Sequence, residues 1–417
     1  MIKKILVMIV TAALPGAVFA SEYHYKDILI GERASGMGGA YVAISDDPSG
    51  MYHNPAGIMF SQENYFSLSA NAFSTETQKF QEIVPGQDYS YTSQSLLPAF
   101  FGFTQALGKH KFGFSVVVPS SQLIDQDDEI TGLSVTDGKA HTFKRRLFQQ
   151  DITYLAGPSF ATEVMNNVTV GVTLYGFYRF MNAIDNQLVI FNPVPTGKYL
   201  ELNTYARTSS FGLTPKLGVQ YMPVPKLSLG VTASTTINAG GKGSVRVFES
   251  KTENGVPVNY GGSYEADKVL TENALAHEQP TNPSFSFGAA YFFSKRSMFT
   301  GQVDFHLPDN DFGYREVLNA SLGGEFYVTE ELAFRTGVYT NRSRTSPIDP
   351  TLANQAPNVN LLGGTLAVAL CKPGSSLSVG AAYAGGKGQG QALGGQLDVQ
   401  TVSQSQLSFY VTGSYQL

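Results

Sequence analysis

The chain has 417 residues, of which only 15% are charged, with one cysteine and no tryptophan. Its formal net charge is −5, and no basic stretch points to a nucleic-acid partner. The single thiol, Cys371, excludes an internal disulfide framework and a cysteine-built zinc site; no cofactor is expected.

The chain opens with Lys3 and Lys4, a short apolar run from Ile5 to Ala13, and the small-x-small triplet Val18-Phe19-Ala20. This pattern predicts a secretory leader over residues 1–20, too short to span a bilayer. Residues 21–62 follow a different rule. The run "GERASGMGGAYVAISDDPSGMYHNPAGI" holds six glycines and two prolines and shows neither strand alternation nor a helical stripe. It has too few apolar residues to fold alone, so it should keep a fixed shape only inside something larger. Gly36, Gly38 and Gly39 permit tight turns and close backbone approach. Asp46, Asp47 and Ser49 flank Pro48 in a turn signature with side-chain caps. Asn54-Pro55-Ala56 is a second, with Asn54 biased away from helix by the following proline. A dinucleotide-binding reading fails, because Tyr41 stands where the third glycine of G-x-G-x-x-G belongs.

From about residue 63 to 417 the pattern becomes strict alternation. In "LSLGVTASTTI" the odd positions from Leu227 carry Leu, Leu, Val, Ala and Ile, and the even ones Ser, Gly and Thr, which marks a strand with one apolar face. "VTVGVTLYGFYRF" from Val168, "FTGQVDFHL" from Phe299 and "LSFYVTGSYQL" from Leu407 repeat it. Short polar junctions at 108–110, 165–167, 223–225, 294–297, 329–331 and 372–374 alternate with mostly longer segments at 77–91, 120–141, 184–201, 249–280, 345–356 and 387–400. Long dyad-period strands joined in this manner predict an all-β fold: a transmembrane antiparallel β-barrel of about fourteen strands in a bacterial outer membrane. Closure removes the edges that lipid cannot satisfy. Such a barrel leaves a lumen its own side chains cannot fill, and residues 21–62 are expected to be the plug, or hatch, inside it.

Parity then assigns inward positions. Arg179, Lys216, Asp304, His306, Glu325 and Arg335 lie opposite the apolar faces and should hydrate the lumen, pair with the hatch, or form a polar relay that ligand disturbs. Pro119-Ser120-Ser121 interrupts the apolar alternation of Phe112, Phe114, Val116 and Val118; proline lacks the N–H that a ladder needs. Either the wall is broken there or Pro119 ends its strand at the outer rim. Asp125, Asp127, Asp128 and Glu129 read as a solvated outer loop, with divalent-cation bridging as a sharper reading. The six histidines show no metal spacing. An outer-face Ser-His pair, as a barrel hydrolase would use, is not predicted, since His306 points inward; the chain is not expected to be an enzyme.

The glycine-rich run resembles the N-terminal hatch of the FadL/TodX family of outer-membrane transporters for hydrophobic compounds. The matching features are Gly-Met-Gly-Gly-Ala at 36–40, Asp46-Asp47, Ser49, Asn54-Pro55-Ala56, and Pro119 closing "GFSVVVP" in the third strand. The chain departs from the family in ending on Leu417 instead of phenylalanine. The resemblance implies a hatch-plugged, fourteen-stranded barrel that takes up fatty acids or hydrocarbons passively and releases them sideways where strand three is kinked, at Pro119, Ser120 and Ser121. The implied partners are a hydrophobic small molecule and the surrounding outer-membrane lipid and lipopolysaccharide, with the protein as a monomer. The competing reading is a structural or interaction barrel, an adhesin or secretion accessory, without transport.

Overall fold

In the computed structural model the described residues are 23–135, 138–191, 197–253, 256–259, 281–310, 313–392 and 397–416; the expected leader lies outside them. One continuous sheet of eighteen strand segments builds a closed antiparallel wall of fourteen. These are β1 (Tyr65–Val84), β2 (Gln87–Leu107), β3 (His110–Thr131), β4 (Gly138–Met165), β5 (Val168–Phe191) and β6 (Tyr199–Val224). β7 runs as Leu227–Ser234 and Ile237–Glu253, followed by β8 (Ser284–Ser294), β9 (Ser297–His306) and β10 (Val317–Tyr327). β11 (Leu332–Asn341), β12 (Leu361–Lys372), β13 (Ser375–Gly390) and β14 (Gln400–Gln416) complete it. β1 pairs with β14 from Tyr65–Gln416 to Phe80–Val402, so the wall has no free edge.

Alternation explains the two faces. On β6, Phe211, Leu213, Leu217, Val219 and Tyr221 are exposed apolar side chains, whereas Thr204, Thr208, Ser210 and Gln220 are buried. The exposed set forms an outer belt that lipid covers, and the buried polar set faces the lumen. Among the described residues no helix is long and apolar enough to cross a membrane; strands make the crossing.

The wall is uneven in height. β4, β5 and β6 run for 28, 24 and 26 residues, while β8 to β11 have only 10 or 11. Much of what alternation-based reading assigns to long loops at 77–91, 120–141 and 184–201 is therefore strand. Above the membrane the outer face carries polar and charged residues and apolar side chains turn to the lumen, so the lipid-facing period does not mark the continuation. The acidic run is part of β3, not a loop. Glu129, Asp128 and Asp127 stand opposite Lys144, Arg145 and Arg146. Arg146 pairs with Asp125 at 2.5 Å and Asp127 at 3.1 Å, and Lys144 with Glu129 at 3.3 Å. Those carboxylates neutralise cations of their own chain. Inside the same tall region Phe80, Tyr89, Tyr91, Ile124, Leu147 and Val402 form a buried apolar cluster that fills the upper lumen.

Closure through β1 and β14 yields a direct test. Deleting residues 400–417 exposes two strand edges at membrane depth, where each unpaired backbone group costs several kcal/mol. The truncated chain should lose the heat-modifiable migration of a folded barrel on denaturing gels, and retention of that migration would contradict the closed wall.

Candidate functional site

Residues 23–62 lie against strands from all round the wall. Three short pieces are helical: α1 (Glu32–Gly36), α2 (Gly50–His53) and a 3₁₀ stretch, Pro55–Phe60. The glycine content thus allows single helical turns that the sequence pattern hides. The segment fits the wall through pairs of opposed glycines. Gly171 on β5 lies opposite Gly218 on β6, Gly230 on β7 opposite Gly288 on β8, and Gly323 on β10 opposite Gly337 on β11. A Cβ at the first pair would collide with Asn54, Pro55 and Ala56, one at the second with Val42 and Ala43, and one at the third with Met37. The lumen face is notched where the segment's backbone touches it.

Asn54 ties the first notch together. Its Nδ2 donates to Val42 O at 2.8 Å and to Val219 O of β6 at 3.1 Å, and its Oδ1 accepts from Ala56 N at 3.1 Å. Pro55 follows at the start of the 3₁₀ turn, where a missing N–H costs nothing. Gly38 has φ 66° and lies against the β11 backbone at Val338. Gly36 packs on Arg335 and Ala367. Asp47 Oδ1 accepts from Ser49 N at 2.7 Å and Ser49 Oγ at 2.5 Å, while burial pushes its carboxyl up to about 6.

An ion-pair chain crosses from segment to wall. Asp46 pairs with Arg33 at 2.5 Å, Arg33 with Glu325 at 2.7 Å, Glu325 with Arg335 at 2.7 Å, and Arg335 with Glu32 at 3.1 Å. Glu32 also accepts from Ser376 and Ser414 of β13 and β14. Alternating signs let each charge offset the next; removing Arg335 would leave Glu32 without a cation, at about 3–5 kcal/mol, while Glu325 would keep Arg33.

Next to α2 lies a cavity of about 310 Å³ with a mixed lining. Leu155, Tyr175, Phe177, Ile28 and Pro119 contribute apolar surface, with Ser120 beside Pro119. Lys26, Arg179, Lys216, Asp304, His306 and Arg344 line it as well. Lys26 pairs with Asp304 at 2.9 Å, and Arg179 with Asp151 at 2.5 Å. His306 stacks on Tyr25 with ring centroids 3.5 Å apart. Lys216 Nζ donates to Tyr52 O at 2.5 Å and makes no ion pair among the described residues. Arg344 lies over Tyr314 at 4.1 Å and Tyr25 at 5.3 Å; its buried Nε finds no acceptor there. Burial holds His24 and His53 down at about 4 and raises Asp27 well above its ordinary value. The histidines are therefore neutral at neutral pH, and Asp27 favours its uncharged form beside Ser120. Among the described residues no group of His, Cys, Asp and Glu could hold a metal ion.

The wall beside this cavity is irregular. β3 does not end at Pro119; it continues to Thr131. Its ladder with β2 lapses between Phe100–Val117 and Ser93–Ile124, and its ladder with β4 shifts between Val117 and Ser120. The lapse contains Pro98 of β2 and Pro119 of β3. Neither residue can donate to a ladder. The bulge flips strand parity, turning Ser120 to the lumen side opposite Thr153, with Ser121 facing outward beside Ile152.

Arg179, Lys216, Asp304 and His306 line the cavity; Glu325 and Arg335 join the ion-pair chain. Arg179 pairs with Asp151 of β4 in the wall, and Glu325 with Arg335, while Lys216, Asp304, Glu325 and Arg335 also bond residues of the N-terminal segment. Sequence reasoning missed Pro98, Lys26, Arg344 and the glycine pairs. Pro98 was visible as a proline inside a strand-like run, and the wall glycines as inward positions about five or six residues from each short turn.

Residues 19–388 match the family described as outer membrane protein transport protein (OMPP1/FadL/TodX). The chain belongs to this family. Three solved structures share its fold: a Pseudomonas aeruginosa FadL homologue (13% identity, 94% of this chain and 99% of that one, TM-score 0.60), the Pseudomonas putida toluene transporter TodX (14%, 94% and 100%, 0.60), and the Ralstonia pickettii toluene transporter TbuX (14%, 94% and 99%, 0.62). Comparison with curated protein sequences finds no significant match. As a FadL/TodX-family barrel the protein resides in the outer membrane and is a channel for hydrophobic compounds, not an enzyme.

The notches predict how this FadL/TodX-family chain fails. Gly218→Val would overlap Asn54 and Pro55 and should dislodge the segment while leaving strand pairing intact. Single-channel conductance in planar bilayers should rise, with heat-modifiable migration unchanged. An unaltered conductance would show that the segment does not depend on this seat.

Proposed function

We propose that the protein takes up long-chain molecules with an apolar body and an anionic head, such as long-chain carboxylic acids, passively and with lateral release. The observation that carries this reading is the mixed lining of the cavity. Its apolar side chains include Pro119, which lies in the ladder lapse, and its cations include Lys216 and Arg344, which make no ion pair among the described residues. A hydrocarbon would leave those cations buried and unpaired, which is costly; a carboxylate would satisfy them. Apolar burial, at roughly 25 cal/mol per Å², would drive the rest of binding.

In this reading residues 1–20 are the leader, 21–62 the hatch and 63–417 the barrel. The irregular segment from His24 to Ile30 borders the cavity, with Asp27 beside Ser120. Ligand entering beside it would disturb Lys26–Asp304 and the Tyr25–His306 stack, loosening the hatch. The apolar tail would then leave through the wall at Pro119, Ser120 and Ser121, avoiding the wet periplasmic mouth. A missing ladder bond at membrane depth is tolerable only where a cavity or protein covers it, and here the cavity does. A barrel serving only as a surface scaffold would have no use for a cavity ending at a wall lapse.

Lys216→Met and Arg344→Met should each weaken binding of a labelled fatty acid roughly 10- to 100-fold, the value of a charge-assisted hydrogen bond, and leave binding of an alkane of equal length nearly unchanged. Equal losses for acid and alkane would refute head-group recognition. Ser120→Phe should preserve fatty-acid binding but reduce uptake by cells. Uptake at the wild-type level with a folded barrel would place the exit elsewhere.

A further inference from the structure

The outer surface of β6 and β7 carries a charge pattern that transport does not use. On β6 the lipid-facing apolar positions run from Tyr221 to Phe211, ten residues or about 25 Å of tilted strand. That length matches one hydrocarbon layer. The next outward residues are Ser209 and Arg207. On β7, Lys242 stands opposite Ser209, Ser244 opposite Arg207, and Arg246 opposite Tyr205. Arg207, Lys242 and Arg246 are all exposed, and Arg207 is the diagonal neighbour of both others, within about 7–8 Å at the backbone.

Three like charges so placed repel one another, and none has an ion pair among the described residues. The contrast with β3 and β4 is direct. There Lys144 and Arg146, also facing outward above the belt, are neutralised across the strands by Glu129, Asp125 and Asp127. On β6 the nearest outward carboxylate toward the rim is Glu201, six residues or about 20 Å further up. β5 offers Asn182 opposite Arg207 and no outward acid nearby. Among the described residues, outward cations are therefore balanced by the chain's own acids on one side of the wall and are open to an external anion on the other.

Position identifies that anion. The triad begins within about 10 Å of Phe211, where the continuous apolar belt ends, and lies between it and the outward aromatic pair Tyr205 and Phe248, at the depth of head groups in the outer leaflet. That leaflet is built from lipopolysaccharide, whose acylated disaccharide carries phosphates at this level. We infer that Arg207, Lys242 and Arg246 form a binding site for the phosphorylated head group of one lipopolysaccharide molecule, with its acyl chains lying along Phe211, Leu213 and Leu217. The site is independent of the lumen cavity and of the ligand that the channel carries.

The test uses the full-length protein purified in detergent, with the acylated, phosphorylated disaccharide of lipopolysaccharide titrated in and bound adducts counted by native mass spectrometry. Each basic residue near an anionic head group is worth roughly a fivefold factor in binding. The triple variant R207Q/K242Q/R246Q should thus bind about 100-fold more weakly, with heat-modifiable migration retained. The dephosphorylated lipid should bind wild type and variant equally poorly, and K144Q/R146Q should bind the phosphorylated lipid as wild type does. Inorganic phosphate at low millimolar concentration should not compete. Equal affinity of wild type and triple variant would overturn the assignment, showing that the chain neutralises the triad itself. Competition by inorganic phosphate would also overturn it, making the triad a free-anion site.

Discussion

In lipid a peptide group that loses its hydrogen bond has no water to fall back on. Everything in this protein depends on that constraint. It forces the fourteen strands into a ring, and the ring encloses more space than strand side chains fill. The surplus is occupied by residues 23–62, whose turns could not hold their shape in water. The wall accommodates them by giving up side chains in opposed pairs at three places, where backbone must meet backbone. The one conspicuous relaxation of the ladder, between Pro98 and Pro119, lies beside the cavity, where the freed groups are covered from within.

Charge follows the same logic of compensation. Where the N-terminal segment meets β10 and β11, carboxylates and guanidinium groups alternate from Asp46 to Glu32, and no member is left alone. Where the cavity opens, the balance is deliberately incomplete at Lys216 and Arg344. A protein interior tolerates such incompleteness poorly, which is the premise of the head-group recognition proposed above.

Much of this was legible in the residues. Alternation fixes which side chains of Arg179, Lys216, Asp304, His306, Glu325 and Arg335 point inward, because a strand has period two and lipid punishes error. The glycine-rich run was legible as a segment needing an enclosure. Three things were hidden. Strand ends above the membrane were lost, since the outer face of β3 to β6 turns polar there and the apolar side chains move to the lumen face. The bulge at Val118–Pro119 reverses parity, so the inward turn of Ser120 could not be counted from Lys111. Lys26 and Arg344 come to the cavity from irregular backbone, one before α1 and one after β11, where no period applies.

The network around Glu32 has a consequence for assembly. Glu32 leaves the ribosome long before two of its partners, Ser376 and Ser414, which belong to β13 and β14. The segment around Glu32 cannot complete its native contacts until those later strands are in place. Assembly is therefore ordered against the direction of synthesis. The amino-terminal stretch must be kept unfolded and unaggregated through export, and its docking closes the folding reaction instead of nucleating it.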